Sequence, residues 1–177
     1  MKPKLLLCMT LFLPLGLLRW EEMVSYDGRF RVLTPGSMTE KVDTLATGIG
    51  QIEYHTFFYQ PPEEAADDNW LYAVSYCDYP MATVHSDSID LLDEFFASTI
   101  DEAVAVLDGA LSYSSELELQ GYPGRFWRID YSEGGQIVKN KAVLVRNRLY
   151  TLQVFSLQGR EINEEAGKFL DSFQLLE

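Results

Sequence analysis

Cysteine and histidine are scarce in this chain of 177 residues, with two of each. Cys8 lies within an apolar N-terminal run, so Cys77 is the only thiol of the folded part and an internal disulfide is impossible there. The interior must hold together by packing alone. A lone cysteine inside the apolar stretch Trp70 to Tyr79 reads as a small buried hydrophobe. His55 in a strand and His85 in a loop are too few for a histidine-rich zinc site. A nucleophilic Cys77–His55 pair is conceivable only if two neighbouring strands bring them together. The chain also lacks a Gly-x-Ser-x-Gly elbow, a phosphate loop and a dinucleotide glycine fingerprint, and its glycines fall in turn positions.

Basic residues are few as well: 14 Lys and Arg stand against 27 Asp and Glu, for a formal charge of -13. Three of the basic residues, Lys2, Lys4 and Arg19, lie in or beside the N-terminal run, so the remainder is more acidic still. Such a surface repels phosphate backbones and anionic lipid headgroups, which excludes nucleic acid and disfavours membrane binding by charge. A basic protein partner, divalent cations or plain solubility are compatible with it. The acidic stretch Glu63, Glu64, Asp67 and Asp68 lacks the alternating oxygen ligands and central glycine of a calcium loop. No metal and no cofactor is expected.

What is present begins with a leader. Met1-Lys2-Pro3-Lys4 precedes an apolar run from Leu5 to Leu18, the layout of a secretory signal. Rising 1.5 Å per residue, those positions reach about 21 Å, short of the ~30 Å hydrocarbon core. Residues 1–20 are therefore read as a signal peptide or short N-terminal anchor, and residues 21–177 as one domain. The membrane is reached only through that segment if it stays uncleaved. Cys8 follows three leucines, but only seven residues precede it and the apolar run continues past it, which argues against lipidation. The expected compartment is the periplasm or cell envelope.

The composition, 47% hydrophobic and 13% aromatic, is that of a folding chain. Alternation over residues 29–33, stopped by Thr34-Pro35-Gly36, predicts a first strand. Residues 42–47 and 51–60 flank Gly48-Ile49-Gly50 and predict a hairpin, and Trp70 to Tyr79 predicts a further strand. From Ser88 the period changes to three and four, through Ile89, Leu92, Phe96, Ile100, Ala103 and Leu107, which predicts an amphipathic helix with Asp87 or Ser88 capping its start and Gly109 ending it. Period two returns in strands near 116–120, 125–131, 136–146 and 149–156, joined by Gly121-Tyr122-Pro123-Gly124, Gly134-Gly135 and Asn147-Arg148. Asn163 then caps a helix whose Ala166, Phe169, Leu170 and Phe173 share a face that packs on the sheet. Strands, a helix, a four-strand meander and a closing helix make an α+β sandwich.

Aromatic side chains crowd the central strands, Tyr54, Phe57, Phe58, Trp70, Tyr72 and Trp127 among them. Either helices cover both faces of the sheet, or an exposed aromatic cleft receives a peptide or an apolar ligand. The candidate binding surface is Tyr122, Arg125 and Trp127. No catalytic residue is assigned.

Three anchors carry a resemblance to a known family: Tyr26 to Gly36 (Tyr-Asp-Gly-Arg-Phe-Arg-Val-Leu-Thr-Pro-Gly), Gly121 to Arg125 (Gly-Tyr-Pro-Gly-Arg), and Arg148 to Leu152 followed by Phe169 to Phe173. In this order they resemble the PsbP-like superfamily, and they span nearly the whole folded part. The resemblance implies an α-β-α sandwich around a central antiparallel sheet, and a binding or assembly role. It transfers no partner, and no metal residues of a photosystem type map onto this sequence.

The expected function is thus a non-enzymatic binding or accessory protein of the bacterial cell envelope, whose protein partner is unidentified and is basic if charge decides. The alternative is a carrier of a small apolar ligand in an aromatic-lined cleft.

Overall fold

The computed structural model describes residues 20–47, 50–65, 67–133, 135–160 and 162–176. The expected leader therefore lies outside the described residues but for Trp20, as do Gly48, Ile49 and Gly134 of two expected turns. Two strands open the chain, β1 (Glu21–Ser25) and β2 (Phe30–Thr34), paired antiparallel with Ser25 opposite Phe30. Then come β3 (Thr39–Thr47), β4 (Gly50–Tyr59) and β5 (Asn69–Asp78), followed by helix α1 (Ile89–Leu107). The meander is β6 (Ala110–Leu119), β7 (Tyr122–Tyr131), β8 (Gln136–Val145) and β9 (Arg148–Leu157). Helix α2 (Glu164–Asp171) and a two-residue strand β10 (Gln174–Leu175) close it.

Seven strands form one antiparallel sheet in the order β3-β4-β5-β9-β8-β7-β6. Short turns dictate that neighbours in sequence pair, and the one jump, β5 beside β9, leaves room for α1 between them in the chain. Strand β10 adds to β2, making a second sheet of three strands, β1-β2-β10. The large sheet therefore has two covered faces. On one, Phe30 and Val32 of β2 join Ala166, Phe169 and Leu170 of α2 over Tyr72, Val74, Tyr150 and Leu152. On the other, Phe96 and Ile100 of α1 pack on Trp127, Ile129, Val138 and Leu144. The architecture is α+β around a central antiparallel sheet, and the layer opposite α1 holds a small sheet besides a helix.

That small sheet is the main departure from the sequence reading. Strand β1 is exposed at three of its five positions, so it carries no alternation to detect, and β10 has only two residues. The strand expected at 29–33 runs instead from Phe30 to Thr34, because Arg29 (φ 55°) is the last residue of the preceding turn. Strand β6 starts six residues before the expected 116, at Ala110, and is exposed along most of its length. Only Gln120 (φ 51°) and Gly121 (φ 85°) form the β6–β7 turn, both in the left-handed region that a two-residue hairpin needs. Tyr122, Pro123 and Gly124 are already strand.

The helix ends also differ from expectation. Ser88 precedes α1 without a side-chain capping bond, and the left-handed residue at its other end is Asp108 (φ 47°), not Gly109. Gly109 is needed for closeness: a Cβ there would lie 2.6 Å from Ile129 Cγ2 and 2.9 Å from the Asp130 carbonyl oxygen. Asn163 caps α2 as expected, its Oδ1 accepting from Ala166 N at 2.7 Å. Phe173 lies beyond the last helical residue, yet it is buried between Phe30 and Tyr150. No helix among the described residues is long and apolar enough to cross a membrane.

Candidate functional site

The three residues of the expected binding surface sit on β7, but alternation divides them. Trp127 points into the α1-side core and is 1% exposed. Arg125 lies on the same side, bound to Asp93 of α1 at 2.5 Å and near Glu116 at 3.3 Å, with its guanidinium over the Phe96 ring. It staples α1 to the sheet. Tyr122 points to the opposite side, because successive strand residues alternate faces. The trio thus does not form one surface: Tyr122 alone opens onto solvent in a cleft, while Trp127 is core.

The candidate nucleophile and base are separated in the same way. His55 stands opposite Tyr76 in the β4–β5 register and Cys77 opposite Tyr54, at adjacent positions, so the two side chains project to different faces. His55 stacks on the Tyr76 ring, centroids 4.5 Å apart, with Nδ1 3.4 Å from Glu40. Cys77 is buried in the α1-side core, and burial pushes its thiol up to about 12. A thiol so held is protonated at any physiological pH.

The acidic loop has structural work. Asp67 accepts from the Tyr72 hydroxyl at 2.9 Å and from Asn69 N at 2.9 Å, while Asp68 pairs with Arg160. Asn69 also contacts Asn163, the α2 cap, so this knot joins β5 to the start of α2. Burial raises the Asp67 carboxyl above its ordinary value against the pull of those hydrogen bonds. Among the described residues no three His, Cys, Asp or Glu side chains cluster as metal ligands.

An open cleft of about 790 Å³ lies at one end of the sheet, where three turns and the segment after β10 converge. The β1–β2 turn brings Tyr26, Asp27 and Arg29; the β6–β7 turn brings Gln120 and Tyr122. The β8–β9 turn brings Arg146, Asn147 and Arg148, and the segment after β10 brings Leu176. These pieces are pinned by backbone. Leu176 N donates to the Arg29 carbonyl at 2.8 Å, Ser86 N donates to the Arg146 carbonyl at 2.8 Å, and the Gln120 side chain bonds to Leu175 N at 2.7 Å. The Tyr150 hydroxyl donates to the Gly28 carbonyl at 2.6 Å from beneath.

Charge in the cleft is opposite to that of the molecule: Arg29, Arg146 and Arg148 stand against Asp27 and Asp78. Arg148 is committed to Asp78 through hydrogen bonds of 2.6 and 2.7 Å, and those bonds hold its guanidinium well above the usual arginine range. Arg29 and Arg146 are exposed and have no hydrogen-bonded or ion-paired side-chain partner among the described residues. The site offers two free bidentate donors on a rigid rim and no paired acid and base, an arrangement suited to binding.

The architecture above has a counterpart of known structure. The solution structure of cyanobacterial PsbP (CyanoP) from Synechocystis sp. PCC 6803 superposes over 92% of this chain and 95% of that chain, with a TM-score of 0.56 and 12% sequence identity. The fold is PsbP-like. A Pseudomonas aeruginosa protein of unknown function aligns over 84% of this chain and 90% of its own, with a TM-score of 0.39 and 10% identity. No family model and no curated protein sequence matches the chain. At 12% identity the likeness is one of backbone fold.

Of the expected surface only Tyr122 lines this cleft, and Arg29, Arg146 and Arg148, which line it too, were not among the expected residues. Two of these lay inside the quoted anchors, Arg29 in the first and Arg148 in the third. The missing signal is spatial: three turns distant in sequence meet at one end of the sheet.

Proposed function

We propose that this PsbP-like protein is a non-enzymatic binding and accessory protein of the bacterial cell envelope, exported by its N-terminal leader, and that it seats a protein partner in the arginine cleft. The observation that carries this reading is the pair of exposed, unpaired guanidiniums of Arg29 and Arg146 on turns held by backbone hydrogen bonds. A rigid rim with free donors loses little on binding. The acidic surface, -13 overall, favours a partner that is basic as a whole.

Photo-cross-linking tests it. Tyr26 is 83% exposed at the cleft rim and Val106 is 78% exposed on α1, so each can carry a benzoylphenylalanine without disturbing the core. In envelope extract the Tyr26 position should give one discrete adduct that the Val106 position does not. Identical adducts from both positions, or none from Tyr26, would defeat the proposal.

The alternative, a carrier of a small apolar ligand, has one observation in its favour. A second groove of about 510 Å³ runs between β6, β7, β8 and α2, lined by Leu117, Phe126 and Leu170 beside Lys139 and Lys141, with Ile162 94% exposed at its edge. Native mass spectrometry of freshly purified protein would show a retained lipid-sized mass if this groove carries cargo.

A further inference from the structure

Resting on the cleft as the binding site, we propose that its occupant is an acidic peptide segment of the partner, held by carboxylates on Arg29 and Arg146. The arginines of the described chain separate into two groups. Arg31, Arg125, Arg128, Arg148 and Arg160 each have a carboxylate partner within the protein. Arg29 and Arg146 have none, although acidic residues outnumber basic ones 27 to 14, and both line the same cleft. In so acidic a chain, leaving two cations free at one place is a property of that place.

Their backbone strengthens the point. Both hold positive φ, 55° at Arg29 and 56° at Arg146, where glycine or asparagine would fit with less strain. The surrounding hydrogen bonds fix those conformations: Arg29 N donates to the Tyr26 carbonyl at 3.2 Å and Arg146 N to Ser86 Oγ at 3.1 Å. Each turn therefore fixes the backbone from which its guanidinium projects at the cleft.

The chemistry of the anion follows from the neighbours. A guanidinium fork matches a carboxylate with two parallel hydrogen bonds. Asp27 and Asp78 share the cleft, so its three arginines leave an excess of one positive charge, which works against a compact multiply charged anion and suits carboxylates spaced along a chain. Tyr26, Tyr122, Val145 and Leu175 supply aromatic and apolar walls that an inorganic ion would not use and a peptide would. The two scales of charge are compatible: the whole surface attracts a basic partner from a distance, and the cleft selects an acidic segment of it.

The test is a chemical-shift titration of the full chain with an acetylated octapeptide of alternating glutamate and alanine, with its lysine–alanine counterpart, with glutarate and with inorganic phosphate. The acidic peptide should shift amides of residues 26–29, 120–122 and 146–148, its affinity should fall about tenfold between low and moderate salt, and the lysine peptide should leave them unmoved. Arg29→Glu with Arg146→Glu should abolish the response, and the milder Arg29→Gln and Arg146→Gln should each weaken it, with dispersed spectra showing that the variants fold. No shifts in the cleft at low salt, or an unchanged response in the charge-reversed variant, would overturn the proposal. Phosphate or glutarate acting as well as the peptide would overturn its peptide character. Should the acidic peptide fail while the Tyr26 cross-link still forms, the cleft remains the site and only the class of occupant is refuted.

Discussion

Arg148 and Asp78 face each other at the end of the β5–β9 ladder, joined by two hydrogen bonds of 2.6 and 2.7 Å. The same guanidinium donates to the Asp27 carbonyl at 2.8 Å and lies 4.6 Å from the centre of the Tyr76 ring. One side chain thus ties the large sheet to the β1–β2 turn and forms the floor on which the free arginines stand. Asp78→Ala should cost about 1–2 kcal/mol in urea unfolding, since it removes one charge-assisted pair from a partly exposed position. Arg148→Ala should cost more, because it also removes the ring contact and the bond to the turn. Equal losses in the two variants would contradict this assignment.

The α2-side core depends on Phe169, which is fully buried against Tyr72. Phe169→Ala is expected to destabilise the protein by about 3–5 kcal/mol. A thermal melt superimposable on the parent's would refute the packing described.

Burial pushes the Cys77 thiol up to about 12, so the thiolate that reacts is almost absent at pH 8. With Cys8 replaced by serine, Ellman's reagent should give no prompt signal with the native protein and a full signal in guanidinium chloride. Prompt native reaction at Cys77 would show that the α1-side core is open.

Asp67 makes a sign-specific contribution to acid stability. Its folded carboxyl holds a proton more tightly than the unfolded chain does, chiefly because burial penalises the charge. The stability it adds is therefore fully present below the ordinary aspartate value of 3.8 and is lost as pH rises through the raised folded value. Asp67→Asn keeps an acceptor for Tyr72 and Asn69 but cannot ionise. Urea midpoints followed from about pH 3.5 to 6 should show the variant gaining on the parent as pH rises. A constant difference between the two would contradict the role given to burial.

The sequence made the frame legible where alternation or helical spacing was clean. Strands β5, β7, β8 and β9 and both helices follow from it, and Asn163 was identifiable as a cap because its residue type and spacing leave few other uses. It was silent where an element presents no buried stripe, as in β1 and most of β6, or is two residues long, as β10 is. The cleft was hidden for another reason. Arg29, Arg146 and Arg148 gain meaning only from the turns they occupy and from which charges find partners, and neither property is local. Trp127 shows the converse: a large aromatic beside an arginine suggests a surface, yet its strand parity sends it into the core.

Binding in the cleft is the property on which the proposed function depends. The most direct measurement is the affinity of the partner captured through Tyr26 for the parent and for the Arg29→Glu, Arg146→Glu double variant, at matched salt and with matched thermal melts. The account predicts at least a tenfold loss of affinity, about 1.4 kcal/mol, in the double variant. Equal affinity for two equally stable proteins would contradict it.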